Sequence, residues 1–338
     1  MSLLRPNSEE QDMRELLARF FSEQITSEYL RKRVEQSKAS DPELDAKLSE
    51  LGLFDLVAAE GKGDFAQLAV IAFESARVLC PENIIDNLYF GPYFASRFSK
   101  SLPSALIAGM ASGEKRVAGA ILETDSTSSK KQGLSGTLRL VPGVECAQLL
   151  LLLEPSGAGY LAQAPFALNP EECLDRTIKR SAVQLDGLSL TKLSGLENAA
   201  QGLFILRALE LSGVAQRAVN MTVEYVKLRK QFDRPVGSFQ AVQHRLSDMY
   251  LKSEAMRSLA FFAAWAFTHS PEQIKLAAQS ALSIALANAS VVVEGAIQLH
   301  GGIGFTWEYD LQFYLRRAKS IEALYAGYIN DQALLQAV

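Results

Sequence analysis

The sequence predicts a mostly α-helical protein with a small β domain in its middle. Residues 1–115 and 196–338 repeat apolar side chains at helical spacing, while residues 116–195 break into short apolar or alternating runs bounded by Gly, Pro and Ser. The helical stretches of the C-terminal part are long and their links short, the pattern of an antiparallel bundle.

The helical block begins where Ser8 and Gln11 take capping-box spacing and Met13, Leu16, Leu17, Phe20 and Phe21 follow at helical intervals. Further helices are expected over Pro42–Leu51, Phe65–Leu79 and Asn83–Phe98, separated by the Gly61-Lys62-Gly63 turn and by Cys80-Pro81. After Gly113 strands are expected over Val117–Leu122, Gly136–Val141, Gln148–Leu153 and Gly159–Gln163. Helical periodicity returns near Gly195. Leu211, Val214, Ala215, Ala218, Thr222, Tyr225 and Val226 form one stripe, and that helix is expected to stop before Asp233-Arg234-Pro235. A second helix is read from Phe239 to Phe267. A third starts at Ser270, with Pro271 at its first position, and ends at Gly301-Gly302. A shorter helical pair is expected after Trp307.

Composition narrows the class. With 338 residues the chain suggests about two domain-sized units and can bury a substantial core. Hydrophobic residues make up 48%, charged residues 21%, and the net charge is −4, values of an ordinary globular protein. The 34 Lys and Arg against 38 Asp and Glu form no long basic run, which argues against a nucleic-acid partner. Cys80, Cys146 and Cys173 are odd in number and widely spaced, so neither a disulfide framework nor a CxxC metal site is expected. A reducing, cytoplasmic setting is the expectation. The N-terminus lacks the apolar core of a signal peptide, and runs such as Leu149–Leu153 fall far short of the ~20 residues that cross a bilayer, so no membrane span is expected.

Two strings in the C-terminal part are specific. Arg229-Lys230-Gln231-Phe232-Asp233-Arg234-Pro235-Val236-Gly237-Ser238-Phe239-Gln240 resembles the acyl-CoA dehydrogenase signature. So does Gln298-Leu299-His300-Gly301-Gly302-Ile303-Gly304-Phe305-Thr306, with Glu308 and Arg316-Arg317-Ala318 after it. Glu9-Glu10-Gln11, Leu51-Gly52-Leu53 and Glu74-Ser75-Ala76-Arg77 are similar to the N-terminal pattern of that family, so the resemblance covers nearly the whole chain. It implies an N-terminal helical domain, a middle β-barrel-like domain and a C-terminal four-helix bundle. It also implies FAD as cofactor, an acyl-CoA substrate and oligomerisation, because in the family this half of the flavin nucleotide is held across a subunit interface. By resemblance Arg229 meets the diphosphate, Gln231 and Phe232 flank it, and Gln240 lies near the adenine, with Phe239 beside it. Gln298, Gly301 and Gly302 meet the same nucleotide. A diphosphate calls for a cation, and a close ligand for glycine. Taken singly, Arg229-Lys230 reads equally well as a solvated helix end, Gly301-Gly302 as a helix C-cap, Phe232 and Phe239 as core, and His244 and His300 as structural histidines.

The base positions depart from the family. The implied reaction removes an α proton from a thioester and needs a positioned carboxylate. Most members place it in a Tyr-Glu-Gly segment, which here reads Tyr325-Ala326-Gly327. Other members place it ten residues before the glycine matching Gly213, where this chain has Leu203, followed by Phe204 instead of arginine. Glu210 and Glu322 are the acidic residues nearby. Glu210 lies seven residues, about two turns or ~10.5 Å, beyond Leu203, and Glu322 one turn before Ala326. The family's loops around the flavin ring and acyl-CoA correspond to Leu122-Glu123-Thr124-Asp125-Ser126 and Leu140-Val141-Pro142-Gly143, which lack the aromatic and the clustered hydroxyls.

The resemblance is therefore to the degenerate partner subunit of α2β2 acyl-CoA dehydrogenases. It implies a full-length catalytic subunit as partner, an electron-transferring flavoprotein as acceptor, and CoA thioesters of steroid side chains among the substrates. Two alternatives stand beside it: a self-sufficient homo-oligomeric dehydrogenase with Glu210 or Glu322 as a displaced base, and a flavin-free scaffold or acyl-CoA-binding protein.

Overall fold

A computed structural model describes residues 8–36, 40–58, 65–81, 83–97, 102–122, 128–130, 133–154 and 157–329. The expected Gly61-Lys62-Gly63 turn lies outside them. Helices come first: Ser8–Gln24 (α1), Ser27–Glu35 (α2), Pro42–Glu50 (α3), Leu53–Ala58 (α4), Phe65–Arg77 (α5), Ile84–Leu88 (α6), Phe94–Arg97 (α7) and Ser104–Ala111 (α8). Nine strands follow: Val117–Ile121 (β1), Ser128–Lys130 (β2), Gly133–Ser135 (β3), Thr137–Pro142 (β4), Leu149–Leu153 (β5), Gly159–Gln163 (β6), Leu168–Glu171 (β7), Arg180–Gln184 (β8) and Leu190–Leu193 (β9). Long helices close the chain: Ala199–Leu228 (α9), Gln240–His269 (α10), Ile274–His300 (α11) and Leu311–Tyr325 (α12), with a two-stranded ribbon of Lys230–Gln231 (β10) and Arg234–Pro235 (β11) between α9 and α10.

The elements group into two compact units, one of residues 1–32, 69–80 and 204–338, the other of residues 33–68 and 81–203. In the second unit, β1-β5-β6-β9 form one sheet and β4-β8-β7 another; β1 and β5 pair in parallel and the remaining neighbours are antiparallel. The all-leucine β5 is buried throughout, and Leu150, Leu152, Leu138, Val141 and Val183 join both sheets into one apolar core. α3 starts as its sequence dictates, with the Asp41 carboxylate accepting the Glu43 N–H at 3.0 Å and Pro42 in the first turn.

Two expectations need correction in this unit. The single helix expected over Asn83–Phe98 is α6, a π turn at Tyr89–Tyr93 and α7; Pro92 has no N–H to continue an α ladder, and the wider turn accommodates it. Strands β7, β8 and β9 were not expected. They are four or five residues long and draw their pairing from distant partners, such as Leu168 with Val183 and Gly159 with Leu193.

The first unit is a helical bundle. α11 is alanine-rich, and Ala277, Ala278, Ala281, Ala285, Ala289 and Ala296 are buried, so neighbouring helices approach closely. The stretch Pro271–Phe305 is long and apolar enough to cross a membrane, but more than half of its apolar window is buried inside the fold, as befits a core helix. Gly213 on α9 marks the tightest approach, since a Cβ there would sit 2.4 Å from the Phe73 carbonyl of α5. Glu74, 2% exposed, accepts Arg14 at 3.1 Å and Arg77 at 2.7 Å, and Arg14 also lies over the Phe73 ring. Burial pushes the Tyr314 hydroxyl up to about 12, so it stays protonated and donates to the Arg77 carbonyl at 2.7 Å. Among the described residues after Trp307, one α-helix, α12, is followed by a tighter turn, Ala326–Tyr328; the rest of the stretch where a helical pair was expected lies outside the described residues.

Candidate functional site

α9 ends at Leu228, sooner than the proline argument required, because the chain turns back as a hairpin: Lys230 pairs with Pro235 and Gln231 with Arg234. The two residues at the tip, Phe232 and Asp233, have φ of 52° and 62°. This is left-handed backbone, usually taken by Asn-Gly in such a turn and strained for a bulky aromatic. Phe232 is also 87% exposed. A side chain that is both strained and unburied meets no demand of this chain's own core, and marks a contact surface. Behind it, Phe239 takes the Phe232 ring edge-on at 6.3 Å and carries the Arg234 guanidinium 4.0 Å over its face.

Arg229 is fixed at its backbone and free at its side chain. Its N–H donates to the Tyr225 carbonyl and its own carbonyl accepts the Val236 N–H, both at 2.8 Å, while the residue is exposed. Gln231 and Gln240 are exposed as well; Phe239 is half-buried.

Gln298 is exposed on the last turn of α11, which ends at Gly301 with φ 66° and ψ −144°, a conformation for glycine. Neither Gly301 nor Gly302 has a heavy atom within 4 Å of a notional Cβ, so their backbone is open to a ligand. The two motifs meet through Tyr225. Its hydroxyl donates to the His300 carbonyl at 3.3 Å, and its ring stacks on the His300 imidazole with centroids 4.3 Å apart. Arg229 is one helical turn beyond Tyr225, and Gly301 directly follows His300. Tyr309 packs beside both rings, 4.7 Å from His300 and edge-on to Tyr225 at 6.0 Å. His300 Nδ1 lies 2.8 Å from the Ala296 carbonyl; burial lowers the imidazole pKa, which that carbonyl partly offsets, so the ring is neutral near pH 7. Sequence reasoning gave Tyr225 to the core stripe and missed this bridge; the one available signal was its place a turn before Arg229.

The site near the family's base positions is apolar. Leu203 is 1% exposed, and Ala326 opens the turn after α12. Phe204, Tyr325 and Tyr328 form a cluster, with Phe204 edge-on to Tyr325 at 6.5 Å and 5.7 Å from Tyr328. Glu210 sits at the centre of a buried ion-pair network. It accepts Arg207 at 2.6 Å and Arg317 at 2.8 Å, with all three side chains buried. Burial alone would raise its pKa, but the two guanidiniums outweigh burial and hold it below the ordinary carboxylate range. A carboxylate held that firmly in its charged form is a poor proton acceptor. Arg207 also donates from Nε to the Tyr325 hydroxyl at 3.1 Å. Glu322 is half-exposed, accepts the Ser290 hydroxyl at 2.7 Å and pairs with Lys319 at 3.3 Å. Of the two segments matched to the family's ring and acyl loops, residues 123–126 lie outside the described residues. Leu140–Gly143 forms a bulge and turn, with Leu140 at φ 58° and its N–H held by Glu171 at 2.6 Å.

The exposed surface therefore offers a guanidinium, three carboxamides, an aromatic face and an open diglycine backbone. That donor set fits a flavin dinucleotide's diphosphate and purine: a cation for the phosphates, amides for the base and ribose edges, a flat ring for stacking. Among the described residues no group of three or more His, Cys, Asp or Glu is placed to hold a metal ion.

Residues 195–330 match the acyl-CoA dehydrogenase C-terminal domain. The acyl-CoA dehydrogenase FadE34 of Mycobacterium tuberculosis is 31% identical over 294 residues, covering 83% of this chain and 40% of that protein. The chain spans less than half the length of the curated relatives it matches. The Tcur3481–Tcur3483 steroid ACAD superposes with a TM-score of 0.81 at 25% identity over 97% of this chain and 96% of the other. The ChsE4–ChsE5 complex from Mycobacterium tuberculosis gives a TM-score of 0.84 at 22% identity over 100% and 97%. With its two C-terminal signatures on one bundle, the protein carries the C-terminal domain of the acyl-CoA dehydrogenases and has the fold of that family along its whole length.

Proposed function

We propose that this chain is the non-catalytic subunit of a heteromeric, FAD-dependent acyl-CoA dehydrogenase. One observation carries the reading: the nucleotide motif is intact and turned to solvent, whereas the base positions are Ala326 and Leu203 and the neighbouring Glu210 is locked between two guanidiniums. Arg229 would hold the diphosphate; Gln231, Phe232, Phe239 and Gln240 would flank it; Gln298, Gly301 and Gly302 would close the far side. FAD supplies the hydride acceptor when bound. A full-length acyl-CoA dehydrogenase subunit supplies the base, and an electron-transferring flavoprotein takes the electrons. The resemblance to steroid dehydrogenase assemblies supports a CoA thioester of a steroid side chain as substrate, and a cytoplasmic setting suits that chemistry.

Flavin absorbance tests the reading. The chain expressed alone should carry little flavin and no activity, and coexpression with its partner should give a yellow, active complex. Full activity of the single chain would overturn the proposal. Loss of turnover in that active single chain on Glu322→Gln would establish a displaced base instead.

A further inference from the structure

The residues assigned to the nucleotide sit on two separate segments, the turn after α9 and the end of α11. The tie between them is Tyr225: one hydroxyl bond to the His300 carbonyl at 3.3 Å, one ring stack at 4.3 Å, and a backbone bond at 2.8 Å that starts the Arg229 turn. Tyr309 packs against both rings, tilted on His300 at 4.7 Å and edge-on to Tyr225 at 6.0 Å, and His300 Nδ1 lies 2.8 Å from the Ala296 carbonyl, so the residue whose carbonyl Tyr225 meets is itself held on several sides. His300 is 3% exposed, and its Nε2 has no hydrogen-bond partner among the described residues. A polar atom left buried and unpaired beside this cluster of three rings is an unusual arrangement for an ordinary helix end.

We infer that Tyr225 is a positioning residue for the flavin nucleotide: through the His300 carbonyl it sets the spacing between Arg229 and the Gly301-Gly302 backbone. The inference rests on the proposed nucleotide site. An exposed arginine has many rotamers and a diglycine many backbone states, so a site built from both binds tightly only if their separation is set before the ligand arrives. The hydroxyl does this without itself reaching the ligand surface, since its bond is directed at the carbonyl that precedes Gly301.

The test uses the tagged full-length chain purified from its own host with the subunits that accompany it, stripped of flavin and titrated with FAD and, separately, with ADP as a probe of the nucleotide half. Tyr225→Phe keeps the ring stack and removes the hydroxyl bond. It should weaken FAD and ADP binding by the same factor, roughly three- to tenfold, the worth of one hydrogen bond. The melting temperature of the flavin-free complex should fall by no more than the loss of that one bond, a few degrees at most. Arg229→Ala is the control for the site itself. If Arg229→Ala weakens FAD binding while Tyr225→Phe leaves it unchanged, the positioning role is overturned and the nucleotide site stands. If Tyr225→Phe lowers the melting temperature of the flavin-free complex and leaves FAD and ADP affinity unchanged, Tyr225 is merely structural and the inference again fails. If Arg229→Ala changes neither ligand's affinity, the nucleotide site itself is wrong, and the inference falls with it.

Discussion

Replacing Glu210 by glutamine would remove the carboxylate shared by Arg207 and Arg317, leaving two guanidiniums buried against a neutral amide. Breaking a buried ion pair of this kind costs about 3–5 kcal/mol, so denaturant unfolding of Glu210→Gln should show a loss of that size. Phe232 behaves in the opposite way. Its φ of 52° suits glycine, and Phe232→Gly should leave the chain as stable or stabilise it by up to about 1 kcal/mol while weakening flavin retention. Stability and binding measured on both variants would separate the residue that serves the fold from the one that serves the surface. The sequence assigned Phe232 to the flavin nucleotide by resemblance and held Glu210 as a candidate displaced base. Glu210 could not be read as a structural ion because Arg317 is 107 residues away.

At the scale of elements, the close crossing of α5 and α9 makes a sharp prediction. Gly213→Val places its branched side chain against the Phe73 carbonyl, where even a Cβ would lie at 2.4 Å, and the helices must separate. The melting temperature should fall steeply, whereas Gly302→Ala, with nothing within 4 Å, should leave it unchanged. The long helices were legible because each sustains a 3.6-residue period over several turns, and the burial of Leu211, Val214, Ala215 and Ala218 follows the stripe read from sequence. The short elements were not. Leu168-Asn169-Pro170-Glu171 carries no alternation, and its strand exists because Arg180–Gln184 lies beside it. The hairpin after α9 lacks the Asn-Gly that announces such turns; Phe232 and Asp233 adopt that backbone instead.

At the scale of the whole molecule, acidity should act through two groups. The native pKa of His300 is lowered from 6.5 by burial, so below about pH 6.5 the unfolded chain binds a proton that the native chain refuses. Stability is full above that pH and declines as the pH falls toward the native pKa. The native pKa of Glu210 is lowered from 4.5 in the same sense, adding a further loss below about pH 4.5. Melting temperature measured from pH 7 to pH 5 should fall less in His300→Phe than in the parent chain. The two signature strings made the site's outline legible, and they named its ligand chemistry by resemblance. What they could not convey was the joining of the strings, because that depends on a tyrosine whose partner is 75 residues away and whose own position reads as core.

The hairpin tip also bears on the life of the chain before assembly. Leu228 and Phe232, 80% and 87% exposed, stand close in sequence and remain largely uncovered among the described residues. An unassembled copy thus displays an apolar handle of the type that chaperones and proteases survey. Once a second subunit or a nucleotide covers it, the handle disappears from view. Cellular abundance of the protein would then follow the supply of its companion: copies made in excess would be cleared, and stoichiometry would be kept by degradation without matched synthesis.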